Sequence, residues 1–105
     1  MMGRILLEND EWLVSAGLLG GITVRLKPRG ISIKASSAER RHLMDTLDLL
    51  KARGSNLDPT NRSLQDLLQA FAEAVVGRGD ARWQAYFEYQ SPEEVATTYA
   101  APASE

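Results

Sequence analysis

Cysteine is absent from the 105 residues, and histidine occurs once. Without cysteine there is no disulfide framework and no thiolate chemistry, which fits a reducing compartment such as the cytoplasm. The lone histidine stands in Glu39-Arg40-Arg41-His42, the E-x-x-H spacing of carboxylate-bridged metal sites. Such a site needs two of these motifs and two further helical carboxylates, so no metal is expected here. Also missing are a G-x-S-x-G elbow, a phosphate loop and a dinucleotide fingerprint. Gly17, Gly20 and Gly21 follow what reads as a helix, whereas a phosphate-binding turn follows a strand. No catalysis and no cofactor are expected. Long apolar runs are lacking too. Trp12-Leu13-Val14 and Leu18-Leu19 are far too short to cross a bilayer, and Met1-Met2-Gly3-Arg4 lacks the apolar stretch of a signal peptide.

What is present is an ordinary globular composition, 44% hydrophobic and 25% charged, at a length suited to one domain. The net charge of -2 conceals an asymmetry. Residues 21–62 hold nine Lys or Arg against four acids, whereas residues 63–105 hold two Arg against seven acids. A basic middle beside an acidic end can attract a nucleic acid, an acidic partner or a second copy of the chain.

The clearest pattern is a β-hairpin. Ile22, Val24 and Leu26 alternate with Thr23, Arg25 and Lys27, and Ile31, Ile33 and Ala35 alternate with Ser32, Lys34 and Ser36. Between them Pro28 and Gly30 suit a three-residue loop. One face is aliphatic, and the other carries Arg25, Lys27 and Lys34, with Arg29 at the tip. Upstream, Ile5-Leu6-Leu7 reads as a short strand. Asn9 or Asp10 then reads as the cap of a helix from about Glu11 to Leu19, with Trp12, Leu13, Ala16 and Leu19 at helical spacing.

Downstream the chain is helical. Ser36-x-x-Glu39 is a capping box opening a helix to about Arg53, with Leu43, Met44, Leu47 and Leu50 as its stripe. Asp58-Pro59 or Asn61 starts the next, with Leu64, Leu67, Leu68, Phe71, Ala72 and Val75. Arg78-Gly79-Asp80 reads as a helix stop followed by the cap of a short aromatic helix. Ser91, Pro92 and Glu94 open the last helix with a second capping box. The expected fold is α+β: a single helix-rich domain over residues 1–99, one hairpin packed on a helical bundle, and a frayed tail over 100–105.

Two surfaces are candidates for function. Trp83, Tyr86, Phe87 and Tyr89 place four of seven aromatics within seven positions, too many to face one core, so some should be exposed, either to bind a partner protein or as tyrosines half exposed beside a core closed by Trp83 and Phe87. Arg25, Lys27, Arg29 and Lys34, with Arg40 and Arg41 following, suit a run of phosphates. The same residues also suit the protection of a sheet edge.

Ser91-Pro92-Glu93-Glu94-Val95-Ala96 resembles the first helix of MerR-like and excisionase-type helix-turn-helix proteins. The layout, with Ile5 to Val14 preceding a helical middle, is similar to small regulatory proteins of actinobacterial phages. The resemblance covers about a quarter of the chain. Where that family continues with a turn and a recognition helix, this sequence has Ala100 to Glu105, so no DNA-reading residue is carried over. Residues 10–53, read as helix, hairpin and helix, also resemble the N-terminal docking domains of modular synthases. The resemblance to phage regulators implies a small accessory protein that binds a host or phage protein, with self-association or nucleic-acid binding as further possibilities.

Overall fold

A computed structural model of the protein describes residues 3–17, 19–58 and 60–100. Four antiparallel strands, β1 (Arg4–Glu8), β2 (Trp12–Ala16), β3 (Ile22–Leu26) and β4 (Ile31–Lys34), pair in sequence order as a meander. Helix α1 (Ser37–Ala52) follows, then α2 (Arg62–Val76). A single turn, α3 (Ala81–Trp83), runs into a π-helical turn over Gln84–Glu88, and α4 (Pro92–Tyr99) ends the described chain. The fold is α+β. The tail beyond Ala100, and Pro59 near the expected start of α2, lie outside the described residues.

The expected helix over 11–19 is corrected: Trp12–Ala16 is a strand, so the hairpin is one half of a four-stranded sheet. The misleading signal was Asn9. Its side-chain oxygen accepts from the N–H groups of Glu11 and Trp12 at 2.8 and 2.7 Å, the bonds a helix cap would make. Here they tighten a hairpin turn that the Asn9 N–H closes onto the Trp12 carbonyl at 2.9 Å. A run as short as Trp12-Leu13-Val14 fits either period, and strand pairing on both sides decides it. Because residues 12–16 form a strand, the helix–hairpin–helix reading of residues 10–53 falls with it.

Local chemistry elsewhere acts as expected. Ser36 and Ser91 each make a full capping box, Asn61 caps α2, and Asp80 caps α3. Gly30, with φ of 63°, closes the β3–β4 turn in the left-handed region that favours glycine.

The core forms around α2, whose Leu67, Leu68, Phe71, Ala72, Ala74 and Val75 are all buried. Leu7, Val14, Ile22 and Val24 close over it from the sheet, Leu43 and Leu50 come from α1, and Val95 and Ala96 from α4. Alternation along β3 leaves Arg25 on the open outer face of the sheet while Val24 is buried.

Candidate functional site

The aromatic segment is tied into the interior. Tyr86 is 5% exposed, so the expectation that it anchors a partner from the surface is corrected. The π-helical turn, closed by the Tyr89 N–H on the Gln84 carbonyl at 3.0 Å, turns Tyr86 and Phe87 toward Phe71 and His42. Tyr86 and Phe87 pack edge to face with centroids 4.6 Å apart. Phe87 and Trp83 are half-buried, and Tyr89, 70% exposed, is the one freely presented aromatic of the four. Three of the four aromatics pack inward because the wide π turn and a second contact surface around His42 share them, and Tyr89 stays out as the crowding of the segment predicts.

Trp83 is held by a carboxylate. Glu39 is 3% exposed, and its two oxygens accept four bonds. Oε1 accepts from the Ser36 N–H at 2.7 Å and from Arg78 Nη2. Oε2 accepts from Arg78 Nε at 2.8 Å and from the Trp83 indole at 2.9 Å. Arg78 Nη2 also donates to the Lys34 carbonyl at 2.6 Å. One buried carboxylate thus joins the end of β4, the start of α1, the end of α2 and α3. Burial alone would raise its pKa, but the Arg78 fork, the Ser36 N–H and the Trp83 indole outweigh burial and pull it to about 2. His42 does not converge on Glu39. Its Nε2 donates to the Gln90 carbonyl at 2.9 Å, and its Nδ1 is buried with no hydrogen-bond partner among the described residues.

The Tyr86 hydroxyl is likewise buried without a partner among the described residues, and burial, with a smaller contribution from Tyr99, raises its pKa and keeps it protonated. Removing an unpaired buried hydroxyl removes a desolvation cost. Tyr86→Phe is therefore expected to leave stability unchanged or raise it by up to ~1 kcal/mol. Tyr86→Ala should cost ~3 kcal/mol or more, as for other large-to-small core changes. Urea unfolding midpoints measure both, and a marked loss in Tyr86→Phe would show that the hydroxyl has a partner after all.

The basic residues divide between free and paired side chains. Arg25, Arg29, Lys34 and Arg41 are exposed. Lys27 is spent on Glu8 at 2.7 Å, and Arg40 Nη1 reaches the Gly20 carbonyl at 3.3 Å. Arg25 and Lys34 share the outer sheet face with Thr23 and Ser32, their cross-strand neighbours.

A third surface was not foreseen. Between β1, α1 and α2 runs a groove of about 420 Å³, floored by Leu6, Leu64 and Leu68 and walled by Met44, Leu47 and Leu57. A bulge builds its floor. The register slips between Ile5 and Leu7, so two successive leucines, Leu6 and Leu7, are both buried where a regular strand would expose one. Met44, assigned to the core by periodicity, is 43% exposed on the lip. Arg4, Asp48 and Lys51 rim the groove, and none of them makes an ion pair among the described residues. A shallower hollow of about 450 Å³ at the end of the sheet is lined by Gly3, Gly17 and Gly21 together with Leu19, Ile22, Thr23, Lys34 and Ala35.

No protein-family model, curated protein or solved structure matches the chain.

Proposed function

We propose that this chain is a small non-enzymatic accessory or regulatory protein, of the phage or mobile-element kind, that acts by binding protein through the groove between β1, α1 and α2. The observation that carries this reading is an apolar trough lined by six Leu or Met side chains and rimmed by unpaired charges. Trough and rim together resemble a protein-binding patch more than ordinary surface. No helix among the described residues is long and apolar enough to cross a membrane. The accessory-protein class rests on the resemblance of the Ser91–Ala96 stretch and the layout before it.

A second reading, nucleic-acid binding, draws on the exposed Arg25 and Lys34 of the outer sheet face. The two readings differ in salt and nuclease sensitivity. Capture of protein from a lysate of the source cells should survive nuclease and moderate salt, persist in Arg25→Glu/Lys34→Glu, and be lost in Met44→Glu. Capture that nuclease abolishes, and that only the sheet-face reversals remove, would replace the first reading with the second.

A further inference from the structure

We propose that the partner seated in this groove is a second copy of the chain, related by a two-fold axis that crosses α1 near Leu47 and Asp48. The proposal rests on the groove being a protein-binding surface and names its occupant.

The rim is complementary to itself. Asp48 supplies one negative charge, and Arg4 and Lys51 supply two positive ones, all free of ion pairs among the described residues. A two-fold contact presents the same patch from both sides, so each residue type must find its complement within that patch. Along α1, Met44, Leu47, Asp48 and Lys51 fall at i, i+3, i+4 and i+7, one stripe spanning about 10 Å at 1.5 Å per residue. Two such stripes crossing antiparallel about Leu47 and Asp48 set Met44 of each copy beside Lys51 of the other. The thioether then enters the facing groove, the lysine stem covers it, and the ammonium stays wet. The two Asp48 carboxylates then lie near the axis, each flanked about one helical turn away by Lys51 of the other copy.

No other described element offers a comparable insert. The exposed large apolar residues Ile5, Leu19, Ile31, Met44 and Tyr89 lie on separate elements, and Met44 alone sits on the lip of the groove. The outward side of α4 carries Glu93, Glu94, Thr97 and Thr98 without an apolar anchor, because its Val95 and Ala96 are buried. Two helical turns and a groove fall short of the ~800 Å² per partner of standard interfaces, so the dimer should be weak and concentration-dependent.

Sedimentation velocity from micromolar to near-millimolar protein tests this. Wild type should move from monomer to dimer, and Met44→Glu should remain monomeric with an unchanged circular dichroism spectrum. Asp48→Lys and Lys51→Asp should each weaken the dimer about tenfold, by setting like charges against each other. Mixing those two variants should restore association as a heterodimer, because one then carries only lysine where the other carries only aspartate. Wild type that stays monomeric throughout, or charge variants that dimerise like wild type and gain nothing on mixing, would overturn the proposal. A monomeric wild type whose nuclease-resistant capture of another protein is still lost in Met44→Glu would sink the dimer and leave the protein-binding reading standing.

Discussion

Glu39→Gln is expected to lower the stability of the domain by about 2–3 kcal/mol at pH 7, with the deficit closing as the pH falls toward 2. Glutamine can still complete the capping box with Ser36 through its oxygen, while its amide N–H2 takes the place of the oxygen that accepts from Arg78 Nε and Trp83, so the change removes the charge together with that acceptor. The carboxyl of Glu39 sits at about 2 in the folded protein against an ordinary value of 4.5. A depressed folded value means that the contribution is complete above 4.5 and is lost as the pH drops through the window down to about 2. Urea unfolding of wild type and variant at pH 7, 4.5 and 2.5 measures the gap directly. A gap of the same size at all three would mean that packing, and not the charge clasped by Arg78, is what the glutamine disturbs. Arg78 is itself partly open to water, so truncating it should cost less than the 3–5 kcal/mol of a fully buried pair.

Phe71→Ala should be the most damaging single truncation, at about 3–5 kcal/mol. Phe71 is fully buried on the central helix and meets Tyr86 and Phe87 edge to face, with centroids 5.9 and 5.8 Å away. Domains of this length hold roughly 5–15 kcal/mol in total, so the variant should stand close to unfolding at 37 °C. Thermal and urea unfolding followed at 222 nm report the effect. Phe71→Leu, which keeps much of the volume, should lose clearly less. Equal losses for the two would point to the aromatic contacts, and not the cavity, as the larger share.

How much of this was readable beforehand follows from the range of each interaction. Caps at Ser36, Asn61, Asp80 and Ser91 act within three residues, so the sequence shows them directly. The stripe of α2 was equally plain, because a helix buried at its centre repeats its apolar residues strongly. The sequence of β2 is ambiguous because Asn9 makes the same two local bonds in a hairpin turn as in a helix cap. Nothing local ties Glu39 to Arg78 and Trp83, which lie 39 and 44 residues away, so a residue read only as a cap proved also to be a buried junction.

The groove was hidden for a different reason. Periodicity tells which face of α1 is apolar, but not whether a neighbour covers all of it. Met44 and Leu47 lie on the stripe at positions where β1, bent by its bulge at Leu6, leaves a gap. The reverse error befell Tyr86. Density of aromatics suggests exposure, which Tyr89 shows, whereas the π-helical turn folds Tyr86 inward.

That the groove, and neither the sheet face nor the aromatic segment, is where this protein meets another is tested most directly by site-specific photocrosslinking in the source cells. A photoreactive amino acid placed singly at Met44, Arg25 and Tyr89 samples three exposed positions on three different surfaces. The groove reading predicts a discrete protein adduct, with a second copy or another chain, from position 44 and little from 25 or 89. Adducts that form at position 25 and disappear with nuclease, while position 44 stays unreacted, would contradict it.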